Sequence, residues 1–251
     1  MKRFFPIALT FLCGIGVASA EVVTTTTCQI GNGPITSNPT NCSFNTPSAA
    51  PSANASITLN QLTPVPGAGS LTSFSLDVAG SARAVPFVPA SPTTATTTAQ
   101  AASTANIDYL FSTSGPVRQG VITTTASVRN LQRGAGNDSA NATVSVGSLS
   151  GSCAPSGDFC QGLLGPLGSY SNSFTLGTTF AFRFSEAFQA TGTFIDGTGF
   201  ANGAVSFNFQ LLEADGRTPV AFSAVPEPSA FSLLALAGPL AWLYRRRASR
   251  A

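Results

Sequence analysis

The stretch Phe180-Ala181-Phe182-Arg183-Phe184 alternates an aromatic ring with a small or charged residue, a period of two. The same period returns at Val205, Phe207, Phe209 and Leu211, and Asp196-Gly197-Thr198-Gly199 lies between the two runs as a turn signal. Apolar residues at every second position place one face of an extended strand in a core and the other in solvent. Two such runs with a glycine turn signal between them read as two strands of one β domain.

Outward from this pair the pattern recurs. Ile57 and Leu59 alternate with polar neighbours, as do Phe74, Leu76 and Val78, and again Ala142, Val144 and Val146. Residues 107–112 and 121–128 also read as strands, and Asp215-Gly216 marks a turn before a further strand at 218–222. No helical stripe interrupts them. Short strands at this spacing predict an all-β domain, an antiparallel β-sandwich or jelly roll, over residues 21–225. The phenylalanine stripes are read as sandwich core rather than as a stacking platform. Three segments break the pattern. Residues 24–51 are rich in glycine and proline and are read as loop, residues 91–104 (SPTTATTTAQAAST) as a low-complexity loop or linker, and residues 152–173 as a surface excursion.

The region 21–225 contains no lysine, histidine or methionine. Its six arginines and nine acidic residues leave it at about −3, whereas the whole chain is +2, so the basic character belongs to the two ends. Nothing here offers a basic face for nucleic acid. Four cysteines fall in this region, Cys28, Cys42, Cys153 and Cys160. Four allow three pairings; the expected one is Cys28–Cys42 with Cys153–Cys160, each closing a local loop in an oxidising compartment.

The absence of histidine removes the serine and cysteine nucleophile–histidine pairs and any histidine-ligated metal. Zinc on the cysteines alone does not fit their wide spacing. A carboxylate pair of the glycosidase kind is the one catalytic device left, with Glu186, Asp196, Glu213 and Asp215 as its candidates. The plainer reading puts Asp196 and Asp215 in turns and Glu186 and Glu213 in solvent. Asn137-Asp138 and Asp196, in glycine-rich loops, offer oxygen ligands for calcium without any recognised loop spacing. No catalytic residue, metal or cofactor is expected.

Both ends carry targeting patterns. Residues 1–20 have the layout of a signal peptide: Lys2 and Arg3, an apolar core over 4–17, then Ala18-Ser19-Ala20 as the small-x-small site with Ala18 and Ala20 for signal peptidase. Residues 226–251 run from Pro226-Glu227-Pro228 through an uncharged stretch, 230–244, to Arg245, Arg246 and Arg247. As a helix, 230–244 would extend about 22 Å against a hydrocarbon core of about 30 Å, and Gly238-Pro239 would kink it. Arginines next to a span hold its C-terminus on the cytoplasmic side, leaving 21–225 outside. A single-pass anchor and a disposable one are both consistent with this.

The three parts in that order resemble the PEP-CTERM sorting signal of Gram-negative bacteria, on Pro226, Glu227 and Pro228, residues 229–244, and Arg245 to Arg247. The resemblance covers the tail alone. It implies recognition by an exosortase-type membrane enzyme, removal of the tail, transient residence in the inner membrane, and an association with exopolysaccharide or biofilm. The combined expectation is an exported, non-enzymatic surface or matrix protein. The alternatives are a carbohydrate-binding module for the organism's own polysaccharide and a carboxylate-based glycan hydrolase.

Overall fold

A computed structural model of the chain describes residues 21–45, 51–63, 70–87, 97–154, 159–165, 168–193 and 197–225. These form fourteen strands and, among the described residues, no helix. In chain order they are β1 (Glu21–Ile30), β2 (Thr36–Asn38), β3 (Asn41–Asn45), β4 (Ser52–Thr63), β5 (Phe74–Val85), β6 (Ala99–Thr113), β7 (Arg118–Arg133), β8 (Ser139–Val146), β9 (Leu149–Ala154), β10 (Phe159–Gly162), β11 (Gly168–Leu176), β12 (Thr179–Gly192), β13 (Gly199–Leu212) and β14 (Phe222–Ala224). They make two antiparallel sheets packed face to face, as in a β-sandwich. Sheet A has the order β10-β9-β8-β12-β6-β1-β2, with β14 also on β6; sheet B has the order β11-β7-β13-β5-β4-β3.

The two anticipated runs lie in β12 and β13, one in each layer: β12 belongs to sheet A and β13 to sheet B. The turn between them therefore crosses from one layer to the other. Both strands bury their even or odd set against the same core, Phe180, Phe182 and Phe184 from one side and Val205, Phe207, Phe209 and Leu211 from the other. A period of two reveals which face is inward; it carries no information on which strand lies alongside.

The described parts of the three pattern-breaking segments carry more strand than expected. β1, β2 and β3 fall within 21–45, and β1 pairs along its whole length with β6, from Glu21↔Asp108 to Ile30↔Ala99. The second half of the low-complexity stretch is the start of β6, with Ala99, Ala101 and Ser103 buried. Alanine and serine provide an inward face there without looking hydrophobic in the sequence. Within 152–173, β10 pairs with β9, and Leu163 and Leu164 are fully buried against the core. Gly162 makes that return possible at φ 61°, where a Cβ would also run into the Ser150 carbonyl.

The two disulfides join Cys28 to Cys42 and Cys153 to Cys160. The first links β1 of sheet A to β3 of sheet B; the second links directly opposed residues of the β9–β10 hairpin. Closing a loop of about 15 residues stabilises a fold by about 3 kcal/mol in the chain-entropy account.

Midway along the sandwich a glycine pair sets the spacing of the layers. Gly80 of β5 and Gly203 of β13 are register partners, and the ring of Phe188 from β12 rests on both. A Cβ on Gly80 would lie 2.5 Å from the Phe188 ring and 2.7 Å from Ile57. In an open strand Gly→Ala gains up to about 1 kcal/mol. Here the sign reverses: Gly80→Ala is expected to lose about 1–3 kcal/mol, the cost of overpacking. Denaturant midpoints measured at constant m-value check this, and a neutral or stabilised variant would contradict the ring-on-glycine contact.

Candidate functional site

Because the even residues of β12 point inward, its odd residues form part of an outer face. The register extends that face across sheet A as two polar rows. One runs Glu21, Asp108, Arg183, Ser145 and Ser150, across β1, β6, β12, β8 and β9. The other runs Val23, Asn106, Ser185, Thr143, Ser152 and Gln161, reaching β10. Together they line an open groove of about 960 Å³. Its charged centre is the pair Arg183–Asp108, with Nε donating to Oδ2 at 3.1 Å. Beside it Ser185 donates to the Asn106 side-chain oxygen at 2.7 Å, and Gln161 donates to Ser152 at 3.3 Å. The other outer face, on sheet B, has a smaller hollow of about 280 Å³ near Gln61, Asp77, Ser127 and Ser206.

The carboxylate candidates are dispersed. Glu213 is paired with Arg118, whose Nε and Nη2 donate to its two oxygens at 3.0 and 2.6 Å. That fork lowers the Glu213 pKa and raises that of Arg118. Arg118 also donates to the carbonyls of Ser114 and Pro116, so the pair ties the loop after β6 to the end of β13. Asp215 accepts from the Thr218 hydroxyl and from the Thr218 and Arg217 amides, a turn-building role that lowers its pKa. Asp138, the calcium candidate, is buried, with one oxygen accepting from the Thr191 amide at 2.8 Å and the other from the Phe200 amide at 2.9 Å. It clamps the end of β12 to the start of β13. Asp196 lies outside the described residues, and among those described no three acidic or cysteine side chains gather as a metal site.

Glu186 corrects the reading that placed it in solvent. It is fully buried, and neither carboxyl oxygen has a hydrogen-bond partner among the described residues. Its strand neighbours Phe184 and Phe188 point into the core, and its cross-strand partners Ala105 and Ala142 are buried on either side. The inward set Phe180, Phe182, Phe184, Phe188, Ala190 passes through position 186, so the alternation that defined the strand also held the signal that this acid faces inward. Sealed there, it has no access to a glycosidic bond.

Ala18, Ala20, Pro226, Glu227, Pro228 and Arg245 to Arg247 lie outside the described residues. The groove itself was not anticipated. Its signal is the recurrence of Ser, Thr and Asn at outward positions, which becomes a site only once the strand order is known.

Burial pushes the Glu186 pKa up to about 9, helped by the negative charge of Asp77. A carboxyl whose folded pKa exceeds its unfolded one is fully stabilising, as the neutral acid, below the unfolded value near 4.5. That contribution drains away as pH rises toward 9, at about 1.4 kcal/mol per pH unit. The wild-type domain is therefore expected to be more stable at pH 5 than at pH 8. Glu186→Gln should flatten the profile and exceed wild type at pH 8; parallel stability–pH curves would show that the carboxyl is hydrated or paired in solution. Compared with known families and with curated proteins, the chain matches neither a family model nor a curated protein.

Proposed function

We propose that this chain is an exported, non-enzymatic cell-surface or extracellular-matrix protein that associates with exopolysaccharide. In this reading residues 1–20 are a signal peptide removed after Ala20. Residues 226–251 are a PEP-CTERM-type sorting tail, with Pro226, Glu227 and Pro228 recognised by an exosortase-type enzyme. The apolar run 230–244 is a single transmembrane helix, and Arg245 to Arg247 retain the intermediate in the inner membrane. The domain between them is the cargo.

One observation carries the reading of the cargo. Arg118, Glu213, Asp138 and Asp215 are engaged in building the fold, while an open groove of hydroxyls and amides with a single ion pair crosses the outer face of sheet A. Such a surface suits contact with hydrated, hydroxyl-bearing polymer. Two further features support export. Both cysteine pairs are bonded, as an oxidising compartment allows. Both ends of the described chain also lie side by side against β6, leaving the sheet at one place: Glu21 opposes Asp108, and the Val225 amide donates to the Leu110 carbonyl at 2.8 Å.

Residues 19–226 form a compact unit containing every described strand and both disulfides, so residues 21–225 serve as the test protein. Retention on a column of exopolysaccharide from the source organism is expected, with passage through an unrelated polysaccharide. Passage through both would remove the polysaccharide association. In cells, replacing Arg245 to Arg247 with glutamine should release unprocessed chain from the membrane fraction. Normal retention and maturation of that variant would take the retention role away from the arginines.

A further inference from the structure

We infer that the groove on the outer face of sheet A binds a neutral polysaccharide chain, and that the Arg183–Asp108 pair is the recognition centre. This rests on the matrix-protein reading and narrows it to one face and one class of sugar polymer.

The charge of the groove selects the class. Its charged side chains are Glu21, Asp108 and Arg183, with Arg183 paired to Asp108; cleavage after Ala20 adds the Glu21 α-ammonium, so the processed groove is close to neutral. A polyuronate or a sulfated or phosphorylated glycan would find no surplus of positive charge there to complement its own. A neutral sugar meets the donors and acceptors it needs. The Oδ1 of Asp108 is buried, while the side chain as a whole is 32% exposed, so the carboxylate acceptor available to a ligand is Oδ2, which takes one hydrogen bond from Arg183 and has capacity for another. Arg183 uses only Nε on Asp108, and its side chain is 65% exposed, so the remaining N–H groups of its guanidinium are accessible to a ligand. An acceptor and a set of donors held side by side can engage neighbouring hydroxyls of one sugar ring, and charge-assisted hydrogen bonds are the stronger kind.

The shape selects a chain rather than a single sugar. The groove crosses six strands, from β1 to β10. At about 4.8 Å per strand that is about 24 Å, room for several sugar residues in succession. Thr143, Ser145, Ser150 and Ser152 continue the hydroxyl rows away from the ion pair. The one aromatic residue at the groove, Phe184, has its ring buried in the core, so contact proceeds through hydrogen bonds and not through ring stacking.

The test is affinity gel electrophoresis of residues 21–225 through gels containing a neutral glucan, a neutral galactomannan, or polygalacturonate as the anionic counterpart. Wild type, Arg183→Ala, Asp108→Asn and Gln61→Ala are compared, the last lying on the opposite face. The expected result is retardation by at least one neutral polymer, at least tenfold weaker in both groove variants and unchanged in Gln61→Ala, with no retardation by polygalacturonate. All variants should keep the wild-type melting temperature; a groove variant that does not is replaced by Ser145→Ala/Ser150→Ala, for which a weakening is likewise expected. The inference is overturned by a preference for polygalacturonate, by equal retardation of groove variants and wild type, by loss in Gln61→Ala alone, or by no retardation in any gel. Retention of wild type and groove variants alike on the native exopolysaccharide would remove the groove while leaving the matrix role standing.

Discussion

The packing of Phe74 against both layers is the contact on which the rest of the sandwich depends. Its ring lies 4.4 Å from that of Phe182 and 5.2 Å from that of Phe209, with Phe111 at 5.7 Å and Tyr109 at 6.1 Å. Those five residues come from β5, β12, β13 and β6, so one cluster joins the central strands of both sheets. Phe222 of β14 closes it, 5.2 Å from Phe111 and 5.3 Å from Phe209. Each such pair adds about 0.5–1.5 kcal/mol to the burial of the rings themselves, and burial is worth about 1.5–3 kcal/mol per large side chain. Rings of this size cannot be accommodated if one strand slips by a residue, because every side chain would then change face.

That lock has a consequence on the opposite side of each strand. With Phe182 and Phe184 committed to the core, Arg183 and Ser185 must face outward; with Ile107 and Tyr109 inward, Asn106 and Asp108 must do the same. Register then sets Arg183 beside Asp108 and Ser185 beside Asn106. The groove is therefore produced by the core, two residues at a time, and the backbone beneath the Arg183–Asp108 pair is fixed by the aromatic cluster on the other side of the same strands. Side chains on paired strands are held more closely than side chains on loops, which is the condition for a few hydrogen bonds to discriminate.

How much of this was legible in the sequence depends on what each strand uses to fill its inward face. Where phenylalanine alternates, as in β12 and β13, the strand and its inward set can be read directly. Where alanine and serine do the same work, as at Ala99, Ala101 and Ser103, the composition looks like a linker and the strand disappears. The small residues are there because a neighbour is large: Phe188 occupies the slot over Gly80 and Gly203, and its surroundings must be correspondingly slight. The local disulfide pairing was legible because each pair lies close in the chain. The groove was not, since it joins residues from Glu21 to Ser185 and needs the order of six strands. Glu186 was misread for another reason. Its charge spoke for solvent while its position in the alternation spoke for the core, and the alternation prevailed.

The same balance explains why the surface carries so little charge. A sandwich with two solvated faces needs polar side chains at every outward position, and here Thr, Ser, Asn and Gln supply most of them. Each hydroxyl or amide exchanges one partner for another at a net gain of only about 0.5–1.5 kcal/mol, so no single contact on such a face binds tightly. A polymer changes that arithmetic, because once one unit is held the next arrives at high effective concentration. A weakly polar face repeated across six strands is poorly suited to a small free sugar and well suited to a long chain of identical units. Little charge then becomes an advantage in a matrix: contacts between neutral groups are insensitive to salt, whereas those of a basic surface fade as ionic strength rises.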